Sequence, residues 1–517
     1  MADTPAVNNA DIRTITLTFS EKLDANTIAD GVKLYTVNAS GDLTAENCLI
    51  TVAPGAPAVL NVTKTDGSAL TVGEEYKIVI SSSIRSTNGS TLGNDVVGYF
   101  CTNYSFSLAS AGISGLNTRS IIICLSDIHL GDKRSIDGGY GWFDKNREAL
   151  VSFLNQVRQA PNVRELVIAG DMFDEWVAPM ATVTLNGLTQ SGFLDSIVIE
   201  NQAIIDAFNN IIKDGDITVT FVTGNHDMLT TSADLQRIMP GISEARDGQG
   251  ARLESGLGSY TPTGHPEILI EHGHRYDFIN APDSISNRSI TATPDSSILP
   301  LGFFVTKIGA SILGINSPTG FVPGTTVTPW AGNQYMSHIT ANILTTGIFD
   351  QPLIKTGIDG YSESYAISDL VPRKNPDGTY EVNLYQGVES TWNDRQENNM
   401  VPVKISSEAA IKSAVIMKEL DAQAMTQYFQ NAASIKRIVV FGHTHIALIN
   451  PLFNTKLQKT IYANTGTWID KATPSMTFVA IIPQKSALSV TEYVNLYQYS
   501  QTGITTLDSQ SITFLKQ

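Results

Sequence analysis

The sequence predicts a chain of two fold classes, an all-β sandwich domain followed by a larger α/β region. Three observations lead to this prediction. The chain has 517 residues, which is more than one ordinary domain holds. Residues 1–107 contain only short strand-like runs, whereas apolar strands alternate with amphipathic helices from Ile121 onwards. That alternation is typical of an α/β sheet with helical layers on both faces.

The first 107 residues carry the strand signals of a β-sandwich. Apolar and polar residues alternate over short runs at 14–19, 32–35, 58–62 and 76–80, and turn-forming segments separate these runs. The segments Thr18-Phe-Ser-Glu-Lys-Leu-Asp24 and Leu70-Thr-Val-Gly-Glu-Glu-Tyr76 make the region similar to the bacterial Ig-like domains of surface and exported proteins. The small residues of 108–117 predict a linker to the next domain.

In the α/β region, five predicted strands each end in a cluster of polar side chains. The strands are residues 121–125, 165–169, 217–222, 267–270 and 437–441. Two stripes of apolar residues at helical spacing predict helices between them: Leu150, Phe153, Leu154 and Val157, then Ile204, Ile205, Phe208, Ile211 and Ile212. The clusters are Asp127 and His129; Asp171 and Asp174; Asn225, His226 and Asp227; His272 and His274; and His443 and His445. Ligand sites in α/β sheets lie beyond the carboxyl ends of the strands, so these clusters are expected to converge.

The histidines are concentrated in these clusters. Six of the eight belong to them, and His265 and His338 lie elsewhere. Taken singly, each cluster has an ordinary structural explanation, such as a helix cap, a turn or a pair of satisfied polar side chains. Five clusters in order, each behind an apolar strand, favour one functional site. Carboxylate, amide and imidazole ligands together suit Mn²⁺, Fe or Zn²⁺.

The composition limits the kinds of partner that the protein is expected to bind. The net charge is −16 and the isoelectric point is about 4.9, which disfavours nucleic acid, because duplex binding depends on basic side chains. The longest apolar stretch is interrupted by Pro300 and Lys307, so we expect no transmembrane segment. Three cysteines make no disulfide framework, although Cys48 and Cys101 are able to pair.

The five clusters together resemble the signature of the calcineurin-like metallophosphoesterases. Asp-x-His, Gly-Asp-x-x-Asp, Gly-Asn-His-Asp, His-Gly and Gly-His-x-His occur in this order over residues 119–482. The resemblance implies an α/β (α+β) sandwich of two mixed sheets flanked by helices, over residues 118–517. It also implies two divalent metal ions and hydrolysis of a phosphate ester by a hydroxide that bridges them.

The same resemblance implies a role for each residue. The metal ligands would be Asp127, His129 and His445 for the first ion, and Asn225, His272 and His443 for the second, with Asp171 bridging both. His226 would protonate the leaving oxygen and Asp174 would orient it, although a plain loop cap is the alternative for Asp174. Substrate contacts are expected from Arg134 and Arg275, with solvated surface charge as the alternative for each. His274 is expected either to contact the substrate or to support a metal ligand from behind, with surface exposure as the alternative.

The residue sequence of the first motif, Ser126-Asp-Ile-His-Leu-Gly131, is most similar to that of the branch that contains the UDP-2,3-diacylglucosamine hydrolases. That branch often has arginine where His226 stands, so the resemblance does not carry over its substrate. The segment between His274 and Arg437 is longer than the core fold needs, which predicts an inserted lid at about residues 280–405. Helices are predicted there from Phe304, Ile308, Ile312 and Ile315, and also over residues 407–432. A satellite core is favoured over a lipid-binding groove.

We therefore expect a phosphoesterase that acts on a small phosphomonoester or phosphodiester. Two alternatives stay open at this point. One is a hydrolase of lipid or nucleotide pyrophosphates, and the other is a cell-surface binding protein with a non-catalytic metal domain. The Ig-like module and the acidic isoelectric point predict an exported bacterial protein, periplasmic or surface-held, and no leader peptide is recognisable in this sequence. The sequence predicts no oligomeric state.

Overall fold

The computed structural model describes residues 13–37, 42–71, 75–101, 119–137, 141–176, 190–247, 256–283, 299–303, 306, 354–355, 364–369, 373–374, 376–377, 380–381, 388–415, 420–470, 472–485 and 489–515. The predicted linker at 108–117 and the predicted helix residues Phe304, Ile308, Ile312 and Ile315 lie outside these ranges, as does most of the predicted lid. The chain divides into two compact units. One comprises Met1–Thr118, Ile481–Asn495 and Ser509–Gln517, and the other comprises Arg119–Ala480 and Leu496–Asp508.

The N-terminal part of the first unit is a β-sandwich, as the sequence predicts. Its strands are β1 (Thr14–Thr18), β2 (Val32–Val37), β3 (Leu43–Glu46), β4 (Cys48–Ala53), β5 (Ala56–Lys64), β6 (Glu75–Ile80) and β7 (Val96–Cys101). They form two antiparallel sheets, in the orders β1-β5-β4 and β3-β2-β6-β7. Alternate residues of these strands, among them Leu34, Leu60 and Tyr76, pack into one apolar core. Cys48 carries a free thiol, so it does not form the disulfide that the sequence allows.

The second unit alternates strands and helices. Its helices are α1 (Lys133–Asp137), α2 (Arg147–Gln159), α3 (Gln190–Glu200), α4 (Gln202–Asp214), α5 (Ser232–Ile238), α6 (Val388–Asn398) and α7 (Ser407–Val415). The further strands of the chain are β8 (Ile121–Leu125), β9 (Val163–Ala169), β10 (Thr218–Val222), β11 (Ser243–Ala245), β12 (Ser259–Tyr260), β13 (Ile268–Glu271), β14 (Ile354–Lys355), β15 (Ser364–Tyr365), β16 (Arg373–Lys374), β17 (Tyr380–Glu381), β18 (Ile438–Phe441), β19 (Leu448–Phe453), β20 (Lys459–Asn464), β21 (Thr477–Lys485), β22 (Ser489–Ser500) and β23 (Gly503–Leu515).

Two larger sheets organise these strands. One has seven strands in the order β11-β10-β9-β8-β21-β22-β23, and the strands from β8 to β11 pair in parallel. The other has five strands in the order β12-β13-β18-β20-β19, with a parallel centre and antiparallel edges. The predicted architecture of mixed sheets and helices is therefore confirmed. All five predicted strands are present, and their carboxyl ends carry the predicted polar clusters.

The predicted insert is described in part. Helix α6 and helix α7 lie in its C-terminal portion, and a π-helical turn at Met425–Phe429 follows them. A helical turn at residues 301–303 lies where the sequence places the start of a helix. No helix within the described ranges combines the length and apolar character that a membrane crossing requires.

An aromatic cluster beneath α2 contributes to the core of the second unit. Phe153 is fully buried, and its ring centroid lies 5.2 Å from that of Trp468, 4.9 Å from that of Phe478 and 5.4 Å from that of Tyr499. Aromatic packing of this kind adds a geometric preference to the burial of apolar area.

We expect Phe153→Ala to lower the free energy of unfolding by about 3–5 kcal/mol, because it leaves a cavity among three rings. The control is Ile199→Ala, since Ile199 is 74% exposed on α3 and its truncation should change stability little. Denaturant unfolding of both variants measures the difference. Equal losses for the two variants would contradict the packing described.

Candidate metal centre

Five of the predicted metal ligands adopt a backbone conformation that is unusual for their residue type. Positive φ angles occur at eight described non-glycine residues, and five of these are Asp127 (52°), His129 (56°), Asp171 (54°), His443 (68°) and His445 (59°). The left-handed region is sterically unfavourable for residues with a Cβ, and such residues cluster at functional sites. Each of these residues lies two to four positions beyond the last residue of a strand.

The first ligand group consists of Asp127, His129 and His445. Nε2 of His445 lies 3.0 Å from Oδ1 of Asp127 and 3.1 Å from Nε2 of His129. Nε2 of His129 lies 3.9 Å from the same carboxylate oxygen. The strands β8 and β18 deliver these residues from two different sheets. The group can hold one cation, because each member offers a ligand atom within 4.8 Å of the others.

The second ligand group consists of Asp171, His272 and His443, with Asn225 beside them. Nε2 of His272 lies 3.1 Å from Oδ2 of Asp171 and 3.0 Å from Oδ1 of Asn225. The same Asp171 oxygen lies 3.7 Å from Nε2 of His129 in the first group. Asp171 therefore lies between the two groups, and one of its oxygens reaches a histidine of each.

The electrostatics of the two groups favour bound cations. Burial opposes ionisation of Asp127 and Asp171, yet neighbouring imidazoles hold the pKa of both carboxyls well below the usual range. Burial also opposes protonation of His129 and His272, but surrounding carboxylates raise the pKa of His129 to about 10 and that of His272 to about 9. The site therefore attracts positive charge, and a divalent cation meets the same demand as these protons. The donor set of carboxylates, imidazoles and one amide oxygen fits Mn²⁺, Fe or Zn²⁺.

The outer hydrogen bonds of two histidines select which nitrogen faces the site. Nδ1 of His272 lies 2.8 Å from the carbonyl oxygen of Ala169, which only accepts, so this nitrogen carries the proton and Nε2 offers its lone pair. Nε2 of His443 lies 3.1 Å from Oδ2 of Asp277, which leaves Nδ1 of His443 for a cation. Carboxylates and carbonyls in this position orient metal-binding histidines in proteins. The sequence analysis missed Asp277, which is fully buried.

His226 and Asp174 lie beside the two groups and contact each other. Nδ1 of His226 lies 2.9 Å from Oδ1 of Asp174, and the backbone N–H of His226 donates to Oδ1 of Asp171 over 2.8 Å. Burial opposes ionisation of Asp174, but His226 and His129 hold its pKa below the usual range. Trp176 stacks on the imidazole of His226, with ring centroids 4.5 Å apart. His226 is 7% exposed whereas His129 is fully buried, so His226 lies nearer to solvent.

The comparisons with known proteins agree with this geometry. Residues 121–302 match the family model described as calcineurin-like phosphoesterase, and residues 3–107 match that of the bacterial Ig-like domain. The chain carries a calcineurin-like phosphoesterase region behind a bacterial Ig-like domain. The match to this family supports the interpretation of the region as a metal-dependent phosphoesterase in general terms. The comparison with curated proteins gives no match.

Several solved structures are similar to parts of this chain. A single mutant of Vps29 from Entamoeba histolytica has 9% identity and a TM-score of 0.21, and the match covers 76% of this chain and 99% of that one. The calcineurin-like phosphoesterase YfkN from Bacillus subtilis has 10% identity and a TM-score of 0.21, covering 76% and 90%. The copper resistance protein PcoC from Escherichia coli has 17% identity and a TM-score of 0.14, covering 18% and 81%.

The indole of Trp142 packs against three histidines of the calcineurin-like site, and the sequence analysis missed this residue. The half-buried Trp142 has its ring centroid 4.7 Å from that of His129, 5.5 Å from that of His226 and 5.8 Å from that of His445. Asp470 fixes the loop that carries this indole, since its carboxylate accepts from three consecutive backbone N–H groups, those of residues 144–146. A tryptophan in a glycine-rich loop gives no periodic signal, so only the tertiary structure identifies it.

A buried network supports the Gly-His-Thr-His loop. The carboxylate of Asp421 accepts hydrogen bonds from the Tyr462 hydroxyl, from Nδ2 of Asn464 over 3.2 Å and from Oγ1 of Thr444 over 3.3 Å. Burial raises the pKa of Asp421 to about 6, and the hydrogen bonds oppose that rise. Thr444 separates the ligand candidates His443 and His445, so the network fixes the loop that presents both.

The expected substrate contacts are only partly placed at the calcineurin-like site. Arg275 is buried, where it pairs with Asp247 and, over 2.7 Å, with Glu271. This corrects the expectation for Arg275, because both of its charge partners belong to the protein and its side chain is 5% exposed. Arg134 on α1 pairs with Asp132 over 2.5 Å and remains partly exposed.

His274 is likewise buried instead of exposed. Its Nε2 lies 2.8 Å from the carbonyl oxygen of Gly256, and its ring centroid lies 5.3 Å from that of His272. Burial, together with the neighbouring imidazoles of His272 and His443, holds the pKa of His274 well below the usual range. A neutral imidazole behind the ligands is a packing partner, so the structure gives no sign of the substrate contact that we expected.

Proposed function

We propose that this protein is a binuclear metal-dependent phosphoesterase that hydrolyses a phosphomonoester or a phosphodiester, with His226 as the general acid. The observation that carries the proposal is the shared position of Asp171 between two ligand groups, with the His226–Asp174 pair directly beside them. Two divalent ions held by these groups would neutralise phosphate charge and activate water for attack on phosphorus.

Asp174 orients His226 for proton transfer. Its carboxylate stays ionised, because the two histidines lower its pKa, so it accepts from Nδ1–H of His226. In its imidazolium form His226 also carries a proton on Nε2; it gives this proton to the departing alkoxide and is left as the neutral Nδ1–H tautomer. The stacked ring of Trp176, which is 1% exposed, fixes the imidazole plane. Trp142 and Trp176 also restrict water around the imidazole, and this favours transfer to the substrate.

The metal content of the protein tests the proposed centre. The purified protein should contain close to two transition-metal ions per chain. Asp171→Asn should abolish most activity and release at least one ion, because this carboxylate serves both groups. Elemental analysis after gel filtration measures the occupancy. Asp234→Asn is the control, since Asp234 is also a buried carboxylate but lies in the first turn of α5, where it accepts from Oγ1 of the N-cap residue Thr231. Full occupancy and unchanged turnover in the Asp171 variant would reject the proposed centre.

A further prediction concerns the proton donor. His226→Gln should keep both ions and reduce the hydrolysis of alkyl phosphates by about 10²–10⁴-fold, the usual contribution of a general acid. It should affect nitrophenyl phosphates far less, because their leaving group departs without a proton. Asp174→Asn should show a milder form of the same pattern. Equal losses on both substrate types, with metals retained, would mean that His226 binds phosphate and does not donate a proton.

We further propose that the protein acts outside the cytosol of a bacterium, in the periplasm or at the cell surface. The support is the match of residues 3–107 to the bacterial Ig-like domain. Fractionation of the source cells, with a cytosolic and a periplasmic marker enzyme, tests this. The expected result is recovery with the periplasmic or surface fraction, and recovery with the cytosolic marker alone would refute it.

A further inference from the structure

The turn that carries Asp277 is built around its carboxylate. Oδ1 of Asp277 accepts from the backbone N–H of Ile279 over 2.8 Å, and the side-chain amide of Asn280 donates to Oδ2. The backbone carbonyl of Asp277 accepts from the N–H of Ala281 over 2.7 Å. Oδ2 also faces Nε2 of His443 at 3.1 Å. The hydrogen-bond donors of this turn therefore fix the carboxylate of Asp277 so that Oδ2 faces His443, one of the candidate metal ligands.

The carbonyl groups of the same turn are held by an arginine from the insert. Nη2 of Arg395, on α6, donates to the carbonyl oxygen of Phe278 over 2.9 Å and to that of Ala281 over 2.6 Å. Nε of Arg395 donates to the carbonyl oxygen of Pro282 over 3.2 Å. Asn399, the first residue after the same helix, donates to that Pro282 oxygen over 2.8 Å. One guanidinium thus satisfies three carbonyls within five consecutive residues.

The surroundings of Arg395 suit a fixed guanidinium. The residue is 5% exposed, and its Cζ lies 5.2 Å from the ring centroid of Phe278 and 5.1 Å from that of Trp392. The nearest oxygen of Asp283 lies at 3.9 Å. The planar guanidinium of an arginine, packed against two aromatic rings, can donate to several acceptors at once in a fixed geometry. The ammonium group of a lysine cannot do this. Burial of a cation is costly, so the three carbonyls and the rings must offset it.

We propose that Arg395 is a positioning residue for the second cation site, acting through Asp277 and His443. Helix α6 clamps the turn, the turn fixes Asp277, and Asp277 fixes the imidazole of His443 so that Nδ1 remains the nitrogen available to a cation. His443 needs this support because its φ of 68° is unfavourable for a non-glycine residue. The inference rests on the proposed metal centre. If Arg395 acts in this way, the insert has a role in metal binding in addition to the role as a lid that the sequence suggests.

The test compares Arg395→Met with Gln396→Met. Gln396 lies on the same helix and is 2% exposed, but it holds Ile405, through bonds of 3.0 and 2.8 Å, and not the turn. Mn²⁺ is titrated into chelator-treated full-length protein, and bound metal and the spin-coupled Mn²⁺ pair are followed by electron paramagnetic resonance. We expect Arg395→Met to weaken the second ion at least tenfold, to leave the first ion unchanged and to lose the spin-coupled signal. Gln396→Met should keep both ions.

Two further variants test whether Arg395 acts through Asp277 on His443. Asp277→Ala should reproduce the selective loss of the second ion, and adding Arg395→Met to it should cause no further loss, because both changes act on the same histidine. Arg395→Lys keeps the charge without the fork and should also weaken the second ion, which covers the case in which Arg395→Met does not fold.

The outcomes separate the two proposals. Normal binding of both ions by Arg395→Met or by Arg395→Lys would overturn the positioning role alone. An equal loss of the second ion in Gln396→Met would also overturn it, since general packing would then explain the effect. Wild-type protein that binds fewer than two Mn²⁺ ions would overturn the metal centre itself.

Discussion

The arrangement of the second unit depends on the carboxylate of Asp171. One of its oxygens lies between His129 and His272, and the other accepts the backbone N–H of His226. The chain must approach this group closely from several sides. A Cβ on Gly224 would lie 2.2 Å from Oδ1 of Asp171, and a Cβ on Gly170 would lie 2.4 Å from Nδ1 of His272. Glycine is therefore required at both positions, because any larger residue would push the ligand groups apart.

Much of the scaffold follows from local sequence patterns. The strands β8, β9, β10, β13 and β18 were predicted to within a few residues, since each is a short apolar run that ends in a polar cluster. The buried faces of α2 and α4 agree with the predicted stripes, because helical periodicity is a strong signal. The convergence of the clusters also follows from the sequence, because parallel strands end at the same edge of a sheet.

The groups that position the ligands do not follow from the sequence. Asp277, Asp421 and Arg395 act through tertiary contacts from segments far apart in the chain, and nothing in their local pattern separates them from ordinary polar residues. Arg275 shows the converse error. Its place beside a histidine motif suggested a substrate contact, but Glu271 and Asp247 neutralise it within the protein. Sequence spacing identifies which residues are near the site, whereas the direction of a side chain depends on the packed structure.

The indoles of Trp142 and Trp176 give the site an optical property. Trp142 lies against two histidines of the first ligand group and Trp176 is stacked on His226, so the emission of both rings responds to the charge of adjacent imidazoles. Trp392 and Trp468, by contrast, are buried against Phe278 and Phe153. Among the described indoles, Trp142 and Trp176 thus respond to the occupancy of the ligand groups, whereas Trp468 reports the packing of the aromatic core. Ion binding can therefore be followed without any label, while the fold is monitored in the same sample.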